Sequence, residues 1–79
     1  MADKAFVLIE TVVGRSREVV TALKKMDGVK EADIVSGPYD VIAIVEMENI
    51  NDIGELLTAK IQTTAGIFRA VTCIKIFEG

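Results

Sequence analysis

Two segments, Ala5–Val12 and Tyr39–Met47, carry apolar side chains at nearly every position. Both are rich in β-branched and aliphatic residues, a composition that is typical of strands buried on both faces. A chain of 79 residues holds one domain at most. We therefore expect a single domain over residues 1–79, with these two strands at the centre of its sheet.

The pattern changes between and after these strands. From about Arg15 to Gly28, apolar side chains recur every three or four residues, which predicts an amphipathic helix. A second helix is predicted from Asn49 or Asn51, both suitable N-caps, to Ile61. Two more polar strands complete the order, at Val29–Ser36 and Phe68–Phe77.

The resulting order, β-α-β-β-α-β, predicts the α+β ferredoxin-like fold, with a four-stranded antiparallel sheet and both helices on one face. The two apolar strands then lie in the middle, and the two strands with charged side chains lie at the edges, where charges prevent stray pairing. Because the central strands are apolar on both sides, we expect the uncovered face to pack against a second subunit, sheet to sheet. The alternative is an open sheet covered by side chains from its own edges.

Several classes of site are excluded by composition. The chain contains no histidine, which rules out histidine-dependent catalytic triads and the usual zinc sets, and we expect neither a metal nor a cofactor. The single cysteine, Cys73, is interpreted as a buried core thiol. The net charge is −3 and the basic residues are scattered, so direct nucleic-acid binding is not expected. No apolar run is long enough to cross a membrane, and no signal-peptide pattern is present, which favours the cytoplasm.

Two polar clusters interrupt the apolar pattern. The first, Ser36–Asp40, brings a hydroxyl, an aromatic ring, a carboxylate and glycine backbone to the turn before the second apolar strand. Such a set suits a small zwitterion, although residue chemistry alone favours a simple turn built by Gly37 and Pro38. The second, Gln62–Gly66, follows the predicted second helix, and its composition alone predicts a solvated loop. An oligomer could bring the two clusters together.

Three acids, Glu10, Asp40 and Glu46, lie in or beside the apolar strands, so a carboxylate-based active site is conceivable. Glu10 and Glu46 are explained more simply as charges at strand ends or as partners of a lysine or arginine across the sheet. The sequence contains no phosphate loop, dinucleotide fingerprint or metal-ligand spacing.

Short motifs in these clusters resemble a known family. The segment from Val29 to Val41, with its Gly37 and Asp40, is similar to the "tGxxD" hairpin of the effector-binding domain of Lrp/AsnC transcription regulators. The end of the chain, from Ile61 through Gly66 to Thr72, resembles that family's closing "I…pGV…T" pattern. The similarity covers Ala5–Phe77 but departs from the family in two places, Ala65 before the glycine and Pro38 within the turn.

The resemblance implies a stand-alone form of that domain, without the helix-turn-helix domain of full-length regulators. It implies a sheet-packed dimer, rings of eight or ten subunits, and an amino-acid effector bound between neighbouring dimers. Mixed assembly with a full-length regulator would be the route to gene control. The ligand-binding residues implied by position are Ser36, Gly37, Tyr39, Asp40, Thr63, Thr64, Gly66 and Thr72.

We thus expect a non-enzymatic amino-acid sensor that oligomerises. Two other functions stay open at this point. A dimeric α+β-barrel enzyme of the monooxygenase kind uses the same fold, but the chain lacks histidine and has no buried acid with an evident partner. A ligand-free assembly module would form the same oligomer and bind nothing.

Overall fold

The computed structural model describes residues 3–76, which form a four-stranded antiparallel sheet and two helices in the order β-α-β-β-α-β. The predicted ferredoxin-like fold is confirmed. The last strand ends at Ile74, before the predicted end at Phe77, which itself lies outside the described residues. The strands are β1 (Asp3–Thr11), β2 (Val29–Ile34), β3 (Val41–Met47) and β4 (Ile67–Ile74); the helices are α1 (Ser16–Lys24) and α2 (Ile50–Leu56), and α2 continues into a π-helical turn, Leu57–Ile61.

The strand order is β2-β3-β1-β4, so the two apolar strands are central, as predicted. β1 pairs with both β3 and β4 over most of its length, with Ala5 opposite Val45 on one side and Ile74 on the other. The register of β4 shifts near Glu10, which leaves Phe68 as an extra residue between two strand pairs.

One face of the sheet is covered by the two helices and holds the core. Alternate residues of β1 and β3 point into this face and are fully buried, because the period of a strand is two residues. They pack against the apolar side of each helix and of the π-helical turn. The buried set is Ala5, Val7, Ile9, Val19, Leu23, Ala32, Val41, Ala43, Val45, Ile53, Leu56 and Ile61.

The opposite side of the sheet, which we call the open face, carries the other alternate residues of β1 and β3. Phe6, Leu8, Ile42 and Ile44 lie there and remain half-buried in the single chain. An ion pair lies at each end of this apolar strip. Lys4 and Glu46 are 4.0 Å apart at one end, and Arg69 and Glu10 are 3.2 Å apart at the other.

Cys73 also lies on the open face, and the interpretation of it as a buried core thiol is wrong. It is exposed, and it pairs with Phe6 across the sheet. The reason is that β4 is an edge strand with a neighbour on one side only, so the residues of its open-face set have little to cover them.

The ends of α2 are set by local hydrogen bonds. Asn49, one of the two predicted caps, accepts bonds from the N–H groups of Asn51 (2.9 Å) and Asp52 (3.2 Å). At the other end, the N–H of Gln62 donates to Leu57 O (2.8 Å), the five-residue spacing of a π-helical turn. In residues 3–76, no helix has the length and apolar character needed to cross a membrane.

Candidate functional site

The two polar clusters lie on either side of the end of β1. On the β3 side, Thr11 N–H donates to the Asp40 carboxylate at 2.8 Å, and Asp40 N–H donates to Ile9 O at 2.9 Å. On the β4 side, Val12 N–H donates to Gly66 O at 2.8 Å. Because both neighbours run antiparallel to β1, the start of β3 and the start of β4 lie at the same end of the sheet, one on each side of the end of β1. A single chain therefore brings Ser36–Asp40 and Gln62–Gly66 to the same end of the sheet, and we call this region the corner.

The hairpin cluster is closed by the backbone of Asp40, whose carbonyl accepts a hydrogen bond from Val35 N–H at 2.9 Å. Ser36 and Gly37 are exposed at the tip, and Tyr39 is half-buried. Within the described residues, the N–H groups of Ser36 and Gly37 form no backbone hydrogen bond. These donors are therefore open to a partner or to solvent.

The loop cluster uses its hydroxyl groups to end the π-helical turn. Thr63 donates to Ala59 O at 2.9 Å, and Thr64 donates to Lys60 O at 2.7 Å. Each hydroxyl thus gives its proton to a helix carbonyl that would otherwise lack a donor. What the two oxygens present outward is lone pairs, so in this arrangement they accept hydrogen bonds rather than donate them.

Gly66 is held where a side chain would not fit. Its φ is +94°, a left-handed value, and a Cβ there would lie 3.0 Å from Val19 Cγ2 and 3.1 Å from Arg15 Cβ. The glycine lets the loop pass close to the start of α1. The position of the loop cluster therefore depends on α1 as well as on the sheet.

Thr72 does not join the other predicted ligand-binding residues within one chain. It lies in the middle of β4, opposite Val7 and on the helix-covered side. Val7 is four residues before Thr11, which places Thr72 about 13 Å along the sheet from the corner, at ~3.3 Å per residue.

Two hydroxyl residues at the corner were absent from the predicted set. Thr11 and Ser16 lie at the end of β1 and the start of α1, and their hydroxyl oxygens are 2.8 Å apart. A hydroxyl on each side of the turn at Gly14 was the available signal in the sequence. Only the antiparallel pairing of β1 with both β3 and β4 shows that this turn adjoins both polar clusters.

The three acids considered for catalysis do not converge. Glu10 pairs with Arg69 and Glu46 pairs with Lys4, at opposite ends of β1, so the interpretation of these two as cross-sheet ion-pair partners is confirmed. Asp40 bonds to the backbone of Thr11. Among residues 3–76, no group of three potential ligands could hold a metal ion.

Comparison with known families identifies the domain. A family model described as the Lrp/AsnC ligand binding domain matches residues 4–76. The chain belongs to this family. The family suggested by the motifs is thus confirmed, and in this Lrp/AsnC domain Asp40 and Gly66 bond to the backbone at the end of β1 from its two sides.

Relatives of this Lrp/AsnC domain include regulators. An uncharacterized HTH-type transcriptional regulator of Pyrococcus furiosus is 29% identical over 58 residues, which are 73% of this chain and 39% of the relative. The match thus spans well under half of that relative's length. A hypothetical protein from Pyrococcus horikoshii, PHS023, is 40% identical, with a TM-score of 0.89 over 99% of this chain and 93% of the other. AsnC of E. coli is 25% identical, with a TM-score of 0.89 over 96% of this chain and 52% of AsnC.

Proposed function

We propose that this Lrp/AsnC domain senses an amino acid and oligomerises, and that it binds its effector at an interface between subunits. The observation that supports this function best is the meeting of the two polar clusters at the end of β1. The corner is exposed at the rim of the sheet, where a neighbouring subunit could close it. Association with a full-length regulator of the same family would then carry the signal.

The chemistry of the corner suits an amino-acid backbone. Thr63 and Thr64 offer hydroxyl lone pairs, and the Asp40 carboxylate has one oxygen that does not bond to Thr11. These acceptors suit an ammonium group. The open N–H groups of Ser36 and Gly37 suit a carboxylate. A regulator of Neisseria meningitidis with the same fold, 15% identical and with a TM-score of 0.85, was solved as a complex with L-Met.

The open face supports the oligomerisation half of the proposal. Its apolar strip, Phe6, Leu8, Ile42 and Ile44, is half-buried in the single chain, and neither helix covers this side of the sheet. The charged side chains lie in ion pairs at the two ends of the strip, so they would border a sheet-to-sheet contact whose centre is apolar. A homodimer through this face follows.

Sedimentation velocity with and without a mixture of the twenty amino acids tests the proposal, together with calorimetry of each of the twenty amino acids separately. A ligand bound across an interface must change the association equilibrium, since binding and assembly are linked. Unchanged sedimentation together with no heat from any amino acid would contradict the sensing function.

Two matched pairs of variants separate the parts of the proposal. Thr64→Val should weaken ligand binding, whereas Thr58→Val removes a similar hydroxyl-to-carbonyl bond, to Gly54 O, away from the corner and should not. Ile44→Glu should give a monomer, whereas Ile50→Glu changes an isoleucine that is 50% exposed on α2 and should leave the dimer intact. Equal effects within either pair would count against the role assigned to that site.

A further inference from the structure

The exposed apolar side chains are concentrated at one end of the sheet. Among residues 3–76, six large apolar side chains are exposed, and two of them, Ile50 and Ile76, lie at the end where β1 begins and β3 ends. Single exposed apolar side chains are ordinary on a protein surface, but a group of them marks a binding surface. The other four lie at the opposite end, with the corner, and are Val12, Val13, Ile34 and Phe68.

Val13 occupies a turn that does not need an apolar side chain. The N–H of Arg15 donates to Val12 O at 3.0 Å, which closes a four-residue turn with Val13 and Gly14 at its centre. Gly14 has a φ of +83°, the left-handed value that glycine supplies in a turn. The other central position is usually polar or proline. Val13 is nevertheless 98% exposed, so neither the turn nor the core accounts for it.

Phe68 is exposed at the irregularity in β4. It is the extra residue between two strand pairs of β1 with β4, and such a bulge redirects a side chain. The residue is 74% exposed. It borders a depression of about 280 Å³ that is lined by Gln62, Ile67, Phe68, Arg69 and Ala70. Because Gln62 begins the loop cluster, Phe68 and that cluster share one surface.

The loop cluster lies between these two apolar positions. The N–H of Val12 donates to Gly66 O at 2.8 Å, which fixes the turn with Val13 beside the loop on the β1 side. Phe68 follows two residues after Gly66 on the β4 side. Across β1, Ile34 ends β2 at the base of the hairpin cluster and is 52% exposed. Apolar surface thus adjoins both of the polar clusters that suit the two ends of an amino acid.

Two of the arginines near the corner are already engaged by acids. Arg69 pairs with Glu10 and Arg15 pairs with Glu18, in each case at 3.2 Å. A charged effector side chain would therefore have to compete with an existing carboxylate for either guanidinium group. An apolar effector side chain competes with nothing at these positions.

Two charged groups near the corner could hold a charged effector side chain instead. In residues 3–76, Arg17 in the first turn of α1 forms no ion pair, and it would suit an acidic side chain. The free oxygen of Asp40 would suit a basic one. Lys60 borders the depression beside α2, together with three acids. An exposed charge is well satisfied by water, whereas a group of exposed apolar side chains gains by being covered.

We propose that the effector is an amino acid with an apolar side chain of at least the size of valine, and that this side chain packs against Val13 and Phe68. The polar clusters would hold its ammonium and carboxylate groups, so this class of effector rests on the sensing function proposed above. Packing would remove water from the effector side chain and from the exposed apolar surface together. A charged side chain at the same place would lose water and gain no partner.

Calorimetry with individual amino acids tests the class of effector. Leucine, isoleucine, methionine and phenylalanine should bind on the order of tenfold or more tightly than alanine, because each buries more apolar surface. Valine and threonine form a matched pair of the same shape, and threonine should bind more weakly because its hydroxyl group loses water. Aspartate, glutamate, lysine and arginine should bind no more tightly than alanine.

Variants at the apolar positions test where the effector side chain packs. Phe68→Ala and Val13→Ser should each lower the affinity for leucine by about threefold or more and leave the affinity for alanine nearly unchanged. Both positions are exposed, so neither change removes a core side chain. Ile50→Ser is the matched control, because Ile50 is exposed at the other end of the sheet, and it should change neither affinity. Arg17→Gln should leave the order of affinities unchanged.

The possible outcomes separate the class of effector from the sensing function itself. A charged amino acid that binds most tightly would overturn the apolar class while sensing stands. Variants of Val13 and Phe68 that change sedimentation without ligand but keep the ratio of leucine to alanine affinity would also overturn it, because these side chains would then serve a contact between subunits. No heat from any amino acid would overturn the sensing function, and the apolar class with it.

Discussion

Val7 and Ile9 are fully buried on the helix-covered face of β1, whereas Phe6 and Leu8, next to them in the same strand, stay half-buried on the open face. Both pairs have similar apolar character, so the difference comes from what covers each face and not from the strand. The helix-covered face completes its packing within one chain. The open face has the composition of a core but lacks a second layer within one chain, so the comparison teaches that the covering layer, and not the strand itself, decides which side of the sheet is a completed core.

The largest expected effect separates the two faces directly. Ile9→Ala removes a side chain that is 0% exposed and should lower the free energy of unfolding by about 2–5 kcal/mol at any protein concentration. Ile42→Ala, on the open face, should cost less free energy of unfolding at low protein concentration and more at concentrations where the proposed dimer would form. Urea denaturation at two protein concentrations measures both.

If Ile9→Ala leaves too little folded protein, Ile9→Val gives the same comparison at about 0.5–1.5 kcal/mol. Equal and concentration-independent losses at Ile9 and Ile42 would mean that the open face is as well packed as the core within a single chain. The division between the two faces would then be wrong.

Much of this comparison could be predicted from the sequence, because it depends on alternation. Apolar residues on both sides of β1 and β3 predicted their central positions, and charges in β2 and β4 predicted the edges. Helix periodicity and the N-cap at Asn49 are equally local signals.

Other features could not be predicted, because they depend on pairing between distant segments. The exposure of Cys73 follows from the register of β4 against β1, which places it opposite Phe6 at an edge. The proton direction at Thr63 and Thr64 follows from how the π-helical turn ends. The position of Thr11 at the corner could be recognised only from the pairing of β1 with both of its neighbouring strands.

A second prediction tests how closely the loop before β4 packs on the helix-covered side. Gly66→Ala should cost about 1–3 kcal/mol, since it forces a left-handed residue to carry a side chain and pushes that side chain against Val19. Gly54→Ala is the control, because Gly54 is helical with nothing within 4 Å, and it should gain up to about 1 kcal/mol. Thermal unfolding of the two variants should move in opposite directions, and a shift in the same direction would refute the close contact.

A third prediction concerns the end of β1, which the two polar clusters adjoin. Asp40→Ala should cost about 1–2 kcal/mol, because it leaves the Thr11 N–H without its carboxylate acceptor. Asp33→Ala removes an exposed carboxylate of β2 and should change stability by less than about 0.5 kcal/mol. Amide hydrogen exchange should show faster exchange at Thr11 in the first variant only. Unchanged exchange there would mean that Asp40 does not hold this strand end.

The smallest expected effect lies at the margin of the open face, in the ion pair between Arg69 and Glu10. The Arg69 side chain is 61% exposed, so a double-mutant cycle with Arg69→Ala and Glu10→Ala should give a coupling of only about 0.2–1 kcal/mol in the monomer. If the open face packs against a second copy, both charges lose water, and the coupling should grow at concentrations where the dimer forms. The cycle measured at two protein concentrations therefore tests whether a second copy covers the margin of this face. A coupling energy that stays the same would place the ion pair outside any sheet-to-sheet contact.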